Sequence, residues 1–376
     1  MTIYLDCNAT TPVEPKVQDE VIRYMAVEFG NSGSRTHEYG ARAKQAVERA
    51  RDQIAVVVKA KRDEVIFTSG ATESNNIVIL GLAPHGEETE RRHIVSTKIE
   101  HKAVLEPLEA LQRRGFDITL VSPRREGWVD ADEILKAVRD DTLLISVMQA
   151  NNETGVIQPI TEIAEKLSDH PAYLHVDAAQ GFGKEITPLR NHRIDFISIS
   201  GHKIYSPKGI GALIARRRGF NRPPLSPLFF GGGQERGLRP GTLPVPLVVG
   251  LGLAAELALQ NVKERGNRSL NFRKEILDAL NPLEPIINGD PERTLPHVLN
   301  ISFHGVDSEA LMVALKEVVA ISNGSACTSQ NYQPSHVLEA MGMPSHIIKG
   351  AVRISWCHMT ESPCWERVVE IIKSLR

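Results

Sequence analysis

The stretch SISGHKIYSPKGIGAL, residues 198–213, combines the end of an apolar strand with a glycine-rich turn. The strand DFISIS ends at Ser200, and Lys203 follows just past the edge of the predicted sheet. Glycines in the turn keep the backbone around this lysine compact. A desolvated lysine amine adds to carbonyl groups, so Lys203 is a candidate Schiff-base residue, and the alternative is an ordinary surface lysine.

Outward from this stretch, residues 42–250 alternate short apolar runs with helical patterns. Segment 42–60 carries Val47, Ala50 and Ile54 on one apolar stripe, which predicts a helix. Other segments are rich in β-branched residues and apolar on both faces, which is typical of strands in a covered parallel sheet. These predicted strands are EVIFTS (64–69), HIVST (93–97), ITLVS (118–122), LLISVM (143–148), AYLHVD (172–177) and DFISIS (195–200). Strand and helix in alternation predict an α/β architecture.

The pattern changes after about residue 255. A long helix over 251–280 precedes HVLNISFHG (297–305), a helix from Ser308 to Val319, a possible strand RISWCHM (353–359) and a last helix opened by Ser362-Pro363. We therefore predict a large domain at 13–255. A smaller α+β domain comprises 1–12 and 256–376, and it carries the small-residue loop ISNGSACTSQNYQ around Cys327.

Composition excludes several classes of partner. The 376 residues carry a formal net charge of -2, which gives no global field for nucleic acid. No apolar run approaches the roughly 18 residues of a membrane span, and MTIYLDCNATTP lacks the features of a signal peptide, so we expect a cytoplasmic protein. The four cysteines show no zinc spacing, which predicts no metal site and free thiols; for any one of them, the alternative is a small buried hydrophobe.

Asp177 stands at the end of another predicted strand, in LHVDAAQ. A carboxylate buried there needs a cationic partner, and a protonated pyridine nitrogen would serve. An aspartate at one strand end and a lysine at a later one is the arrangement that a pyridoxal phosphate enzyme requires. The alternative for Asp177 is a cap on the segment that follows.

FTSGATESNN, residues 67–76, predicts a strand, a glycine turn and a helix start. The N–H groups and the dipole of such a helix favour an anion, so this turn is a candidate phosphate cradle. Alternatively, Ser69 or Thr72 is a plain N-cap, with Glu73 completing a capping box.

Two further loops bring polar residues to the same sheet edge. His101 follows the strand 93–97, where an imidazole could stack on a pyridine ring, and Asn152 follows the strand 143–148. Ligands of open α/β sheets collect at the carboxyl ends of strands. A lone histidine is more often structural, but here several strand-end loops each offer a polar residue of a useful type.

Taken together, these motifs resemble the ordered signature of the cysteine desulfurases. The motifs are DCNATTP, TSGATESNN, EHKAVLEP, NNETGVIQP, HVDAAQ, SISGHKIYSPKGIGAL, GGGQERGLRPGT and NGSACTS, and they span nearly the whole chain. This family belongs to the class V aminotransferases. The resemblance implies the type I fold of pyridoxal phosphate enzymes, with a mostly parallel seven-stranded sheet covered by helices beside a smaller α+β domain. It also implies a homodimer with pyridoxal 5'-phosphate near the subunit boundary.

The resemblance assigns roles by position. Lys203 matches the Schiff-base lysine, Asp177 the partner of the pyridine nitrogen and His101 the ring-stacking acid/base histidine. Further matches to cofactor or substrate contacts are Ala71, Thr72, Asn152, Gln180, Ser200 and His202, with Thr242 reaching the phosphate of the neighbouring subunit. Arg353 matches the arginine that binds the substrate carboxylate, for which a guanidinium fork is well suited.

Cys327 matches the nucleophile that takes sulfur from the substrate L-cysteine. The implied reaction leaves L-alanine and a persulfide on Cys327, whose sulfur then passes to an acceptor. The surrounding loop resembles the longer version found in one group of the family, and its small residues suit two positions.

DCNATTP and SNGSACTSQNYQPSHVL resemble the desulfurases of bacterial DNA phosphorothioation (Dnd-type) systems. Cys7 stands where many relatives carry Tyr or Asn, WCHM (356–359) departs from the usual pattern, and the chain ends soon after its last helix. We therefore predict sulfur transfer to a partner protein of such a system, such as an iron–sulfur protein. The alternatives are a housekeeping desulfurase for iron–sulfur assembly or tRNA thiolation, a selenocysteine lyase, an aminotransferase, or an idle sulfur-carrier scaffold.

Overall fold

The computed structural model of the chain describes residues 2–324 and 334–376. Within these ranges the strands are β1 Ile3–Tyr4, β2 Val65–Thr68, β3 His93–Thr97, β4 Asp117–Val121, β5 Thr142–Met148, β6 Tyr173–Asp177, β7 Phe196–Ser200, β8 Gly211–Ala215, β9 Ile286–Ile287, β10 Val298–Ser302, β11 Val319–Ala320 and β12 Ala351–Ser355. The α-helices are α1 Pro15–Ala26, α2 Glu38–Val58, α3 Ala71–Gly81, α4 Ala83–Glu88, α5 Lys102–Gln112, α6 Ala131–Ala137, α7 Ile160–Lys166, α8 Val245–Leu280, α9 Ser308–Leu315, α10 His336–Ala340, α11 Ser345–Lys349 and α12 Trp365–Ser374.

The largest sheet, called the wide sheet below, has seven strands in the order β2-β8-β7-β6-β5-β3-β4. Strands β7, β6, β5, β3 and β4 run parallel, whereas β8 lies antiparallel to both of its neighbours, β2 and β7. The predicted strands correspond to β2 through β7. The sequence analysis does not predict β8, because its residues GALIA follow directly on the glycine-rich turn after β7 and no turn residue marks where the strand begins.

Helices cover both faces of the wide sheet. On one face α2 contributes Ile54 and Val57 to a cluster with the buried side of the strands. On the other face Ile77 of α3 and Leu108 of α5 pack against a second apolar cluster. The strands are therefore buried on both sides, as their continuous apolar sequences predict.

Helix α8 is 36 residues long and joins two apolar clusters. Leu251 and Ala255 belong to the wide-sheet cluster, and Ile276 and Leu280 belong to a separate one. The domain boundary that we predict at residue 255 thus falls inside a continuous helix, and the division of the chain stays a prediction.

The expectation of no apolar run of membrane-spanning length needs correction. By length and composition alone, the helix Val245–Leu283 could cross a membrane, and an 18-residue window in it has a mean hydropathy of 1.6. Half of that window is buried inside the protein. The helix packs along α1 and α2, and a core helix of a soluble protein passes the same test.

A second sheet, called the narrow sheet below, has three antiparallel strands in the order β12-β10-β9. The first residues of the chain pack beside it, because β1 pairs in parallel with β11 and Asp6 bridges to Ser355. The predicted helix from Ser308 to Val319 is shorter than expected and ends at Leu315. The last helix starts at Trp365, after the N-cap Cys364, and so two residues beyond the proline expected to open it.

Candidate active site

A cavity of 510 Å³ lies at the carboxyl ends of the parallel strands of the wide sheet. The loops after β2, β3, β5, β6 and β7 line it, and one group comes from the narrow sheet. The predicted site residues that line it are Ala71, Thr72, His101, Asn152, Asp177, Gln180, Ser200, His202, Lys203 and Arg353. This convergence follows from the topology, since parallel strands end at the same edge of a sheet.

Lys203 lies in a short turn of 3-10 helix, Gly201–Lys203, directly after β7. Its Nζ donates hydrogen bonds to the carbonyl oxygens of Asn8 and Ala9, the second at 2.8 Å. The tight backbone around it needs glycine: a Cβ on Gly211 would come within 2.4 Å of the Ile199 carbonyl oxygen. Lys203 therefore forms part of the cavity wall and is not a free surface lysine.

Asp177 is the last residue of β6, and its side chain is buried. Its Oδ2 accepts a hydrogen bond from Asn75 Nδ2 at 2.7 Å, and its Oδ1 accepts one from the Ala179 N–H at 3.0 Å. One oxygen of Asp177 therefore caps the segment that follows, and the residue also lines the cavity. Capping and cofactor binding by Asp177 do not exclude each other.

The turn before α3 has the geometry of an anion site. Gly70 is the N-cap of this helix, and no side chain caps the helix start. Neither Ser69 nor Thr72 takes the alternative role of N-cap; instead the Ser69 N–H donates to the Glu73 carboxylate, which also pairs with Arg239 at 2.8 Å. The first N–H groups of α3 therefore remain available at the cavity.

His202 lies beside this helix start and carries no charge at neutral pH. Burial lowers the pKa of His202 to about 4, and the positive charges of Lys203, Lys208 and Lys184 act in the same direction. Its Nδ1 lies 3.2 Å from Thr10 Oγ1. A neutral imidazole can hydrogen-bond a phosphate group or a hydroxyl without adding charge.

His101 is the N-cap of α5, and its Nδ1 accepts a hydrogen bond from the Ala103 N–H at 3.0 Å. This contact places the ring proton on Nε2 when the imidazole is neutral. Burial lowers the pKa of His101; the charge of Asp177 opposes that shift, and the charges of Lys203 and His336 add to it. His101 is therefore suited to accept a proton at neutral pH.

Asn8 joins the loops of the site, although the sequence analysis assigns no role to it beyond its place in DCNATTP. Its carbonyl oxygen accepts from Lys203 and from Gln180 Nε2 at 3.0 Å, and its N–H donates to Ser355 Oγ at 2.9 Å. The buried oxygens Oδ1 of Asn8 and Oε1 of Gln180 have no hydrogen-bond partner in the described part of the chain. Asn8 and Gln180 both line the cavity, so a bound ligand with a hydrogen-bond donor could satisfy these oxygens.

Arg353 lies in the centre of β12, and only 1% of its surface is exposed. Its Nη2 donates to Asp6 Oδ1 at 2.7 Å and its Nη1 to the Asn152 carbonyl oxygen at 2.9 Å. Asp6, the first residue of DCNATTP, received no role in the sequence analysis, and it neutralises the buried guanidinium. The fork is thereby held in one orientation at the cavity wall.

Thr242 does not reach this cavity. It lines a second cavity of 450 Å³, together with residues 31–34, Arg51 and Glu235. The resemblance places Thr242 at the cofactor phosphate of a neighbouring subunit. The structure contains one chain, so this role of Thr242 stays a prediction.

The cysteines lie outside the cavity or outside the described residues. Cys327 falls in the second group, and its predicted role as nucleophile stays a prediction. Cys7 and Cys357 are buried free thiols, as the small-hydrophobe alternative expects, and their mutual hydrogen bond raises the pKa of Cys7. Cys364 is exposed. Over residues 2–324 and 334–376, no group of three or more histidine, cysteine or acidic side chains could hold a metal ion.

Comparison with known proteins decides the family. The family model of class V aminotransferases matches residues 3–363. The chain belongs to the class V aminotransferase family. It is 43% identical to the cysteine desulfurase IscS of Vibrio cholerae, covering 99% of this chain and 92% of that protein. Among solved structures, DndA from Streptomyces lividans is 51% identical with a TM-score of 0.83, covering 93% of this chain and 98% of that one. The structure named SspA in complex with cysteine is 36% identical with a TM-score of 0.83, covering 94% and 98% of the two chains.

These relatives confirm the predicted type I fold and the predicted class of enzyme, a cysteine desulfurase that depends on pyridoxal phosphate. The cavity fits this cofactor. Lys203 would bind it, the buried Asp177 would face its ring nitrogen and the start of α3 would receive its phosphate, while the unpartnered oxygens of Asn8 and Gln180 would accept from a donor group of the cofactor or substrate. The carboxylate, amine and helix start lie on separate loops of one sheet edge, which is the donor set that this cofactor needs.

Proposed function

We propose that the chain converts L-cysteine to L-alanine, takes the sulfur onto Cys327 and passes it to a protein of a DNA phosphorothioation system. The observation that carries the desulfurase chemistry is the convergence of Lys203, Asp177, His101 and Arg353 on one cavity. The likeness to DndA supports the choice of pathway, because it agrees with the Dnd-type motifs of the sequence. We expect the enzyme to act in the cytoplasm.

Substrate binding falls to Arg353 and Asn152 in this proposal. The Arg353 guanidinium is already fixed by Asp6 and by the Asn152 carbonyl, so it loses little conformational freedom when a carboxylate binds. Asn152 lines the same wall of the cavity and can hydrogen-bond the substrate. A pre-oriented fork favours an α-amino acid that is held by its carboxylate.

Proton transfer falls to His101 and Lys203. The neutral His101 ring can take a proton from the bound substrate, because burial keeps its pKa below that of a free histidine. Lys203 would hold the cofactor, and its amine lines the cavity while it donates to the Asn8 carbonyl oxygen. When bound, pyridoxal phosphate supplies the electron sink that makes the substrate sulfur electrophilic.

Cys327 completes the reaction. Its thiolate attacks the substrate sulfur, the bond between that sulfur and the substrate Cβ breaks, and a sulfur–sulfur bond forms on Cys327. L-cysteine and one thiol thus give L-alanine and one persulfide, so no external oxidant is needed. Thiolate exchange then moves the outer sulfur to a cysteine of the acceptor.

A homodimer is part of the proposal. The resemblance expects Thr242 to contribute to the site of the neighbouring subunit, and Thr242 lines a cavity of 450 Å³ that is separate from the one around Lys203. Mixed dimers test this: Thr242→Ala and Lys203→Ala chains, each inactive alone, should regain activity in one site of a mixed dimer. A mixed dimer that stays as inactive as its two parents would contradict the shared site.

A housekeeping role is the second candidate function, because the likeness to IscS extends over nearly the whole chain. In that case the acceptor would serve iron–sulfur assembly or tRNA thiolation. The two functions use the same cavity and differ only in the protein that receives the sulfur.

Deletion of the gene in its host distinguishes the two. Sulfur-containing dinucleotides should disappear from nuclease-digested DNA, while tRNA thiolation and cluster enzymes stay near normal. The wild-type gene should restore the DNA sulfur, and Cys327→Ser should not. Retained DNA sulfur together with lost tRNA thiolation would establish the housekeeping role, and rescue by Cys327→Ser would refute the persulfide.

A further inference from the structure

Glu100 is a buried acid that no step above uses. It comes directly before His101 in the turn between β3 and α5, and none of its surface is exposed. Its Oε1 accepts a hydrogen bond from Thr97 Oγ1 at 2.7 Å and another from the Met148 N–H at 2.9 Å. Thr97 ends β3 and Met148 ends β5, so this one side chain bridges the ends of two neighbouring strands.

The contact with Met148 relates the position of His101 to that of Asp177. Met148 of β5 pairs in register with Asp177 of β6, and all three residues line the cavity. A ring that stacks on His101 and meets Asp177 with its nitrogen must satisfy both groups at once. The side chain of Glu100 therefore fixes the turn that carries His101 one strand away from the carboxylate of the same site.

Two other contacts hold the backbone of this turn without the Glu100 carboxyl group. Asn151 Nδ2 donates a hydrogen bond to the Ile99 carbonyl oxygen at 3.0 Å. His336 Nε2 lies 3.0 Å from the carbonyl oxygen of Glu100. The turn should thus keep its path when the carboxyl group is replaced, which allows that group to be tested by itself.

The surroundings of Glu100 favour its uncharged form. Over residues 2–324 and 334–376, its buried Oε2 has no hydrogen-bond partner. An ionised carboxylate without a cation is costly to bury, whereas a neutral carboxyl group costs much less. Burial raises the pKa of Glu100 to about 8; the hydrogen bonds from Met148 and Thr97 oppose this shift, and the charge of Asp177 adds to it.

We propose that Glu100 is a positioning residue for the proton step, an uncharged carboxylic acid that ties the His101 turn to the end of β5. The inference rests on the proposed acid/base role of His101. Proton transfer requires the imidazole to lie within hydrogen-bond reach of the substrate, so a small displacement of the turn lowers its rate. Binding of the cofactor by Lys203 and the start of α3 uses other loops and should persist.

The experiment replaces the carboxyl group while keeping its volume. Glu100→Met has a side chain of similar length without an acceptor oxygen, and Glu100→Gln keeps one such oxygen. Glu109→Met changes an exposed glutamate of α5 and serves as the matched control. The proton step is measured on each enzyme, loaded with pyridoxal phosphate, as exchange of the Cα proton of L-alanine with D₂O. Cofactor affinity is measured by absorbance titration.

We expect Glu100→Met to slow Cα exchange about 10- to 100-fold, because both hydrogen bonds of the turn are lost. Glu100→Gln should stay within about 3-fold of wild type at pH 7, since its amide oxygen can accept both bonds. Cofactor affinity should change by less than about 3-fold in either variant. Glu109→Met should match wild type in both measurements.

The charge state has its own test. The infrared spectrum of wild type minus that of Glu100→Gln, taken on holoenzyme without substrate, should contain the C=O band of a protonated carboxyl group at pH 7. The band should fade above about pH 8, where Glu100 ionises and places a negative charge near Asp177, His101 and His336. Cα exchange should fall more steeply above this pH in wild type than in Glu100→Gln.

Three results overturn the proposal: wild-type exchange in Glu100→Met, an equal loss in Glu100→Gln and Glu100→Met, or a loss of exchange that only parallels a loss of cofactor affinity. A carboxylate band in place of the protonated one at pH 6 would also overturn it. If Glu100→Met does not fold, Thr97→Val removes one of the two donors and should slow exchange about 3- to 10-fold; an unchanged rate there refutes the proposal. Wild-type exchange in His101→Ala would instead refute the proposed role of His101.

Discussion

The wide and narrow sheets contribute to the cavity in different ways. The wide sheet offers side chains from the loops beyond its strand ends, such as Lys203 after β7 and His101 after β3. The narrow sheet offers Arg353 from the middle of a strand, with 1% of its surface exposed. In the proposed function, loops place the groups that bind the cofactor and move protons, whereas strand register places Arg353, the proposed ligand of the substrate carboxylate. The difference teaches that the two sheets should govern different kinetic constants.

The largest effect is expected at the end of β7. Lys203→Ala should reduce kcat by at least about 10³-fold, because the amine that binds the cofactor is lost. The measurements are alanine formation and the mass of borohydride-treated protein, in which wild type should carry the cofactor on Lys203. A borohydride-stable adduct on a different lysine would disprove this assignment.

Asp177→Asn tests the end of β6 and should lower kcat by about 10²-fold or more, since an amide no longer keeps the ring nitrogen protonated. The new side chain can still accept the hydrogen bond from the Ala179 N–H, so folding should persist. Denaturant unfolding and cofactor absorbance serve as controls. Wild-type turnover with the cofactor bound would show that Asp177 is only a cap.

Arg353→Lys tests the narrow sheet. A lysine keeps the charge beside Asp6 but loses the fork, so KM for L-cysteine should rise about 10- to 100-fold while kcat changes less. Asp6→Asn is the companion variant, because it frees the guanidinium without removing it. If Arg353→Lys lowers kcat and leaves KM unchanged, the division of labour between the two sheets is wrong.

The smallest effect concerns the interior of the wide sheet, where His175 should affect stability and not chemistry. Its Nδ1 lies 2.8 Å from Ser146 Oγ and its Nε2 lies 2.9 Å from Ser198 Oγ, and burial lowers the pKa of His175 to about 4. In the unfolded chain a histidine titrates near pH 6.5, so between about pH 6.5 and 4 only the unfolded chain gains this proton. As the pH falls through that window, this residue alone should lower the free energy of unfolding by up to about 1.4 kcal/mol per pH unit.

Urea unfolding of wild type and His175→Asn between pH 7 and 5 measures that slope. The variant should be less stable at pH 7. Its free energy of unfolding should nevertheless change less steeply with pH, because up to one proton fewer is taken up on unfolding. Parallel slopes for the two proteins would mean that His175 is not the buried neutral histidine described above.

Much of the fold and most of the cavity follow from the sequence. Apolar strands separated by helices predict the wide sheet, and polar residues just after those strands must meet at one edge. Asn8 and Asp6 could not be found in this way, because their partners Lys203 and Arg353 are far away in the chain. These pairs form only because the N-terminal segment packs beside the narrow sheet, where Asp6 bridges to Ser355. The proposed role of Thr242 involves a second chain, which no local pattern describes.

The N-terminal segment also has a consequence for biosynthesis. Asn8 donates its N–H to Ser355, 347 residues later in the chain. At ribosomal speeds of about 5–20 residues per second, roughly 20–70 s separate the synthesis of these two partners. The N-terminal segment also bonds directly to the turn that carries Lys203, since the Thr11 N–H donates to the His202 carbonyl oxygen at 3.0 Å. The tie between Asn8 and β12, however, forms only after Ser355 has been made. A nascent chain therefore completes the corner between Asn8 and β12 only when translation is nearly finished.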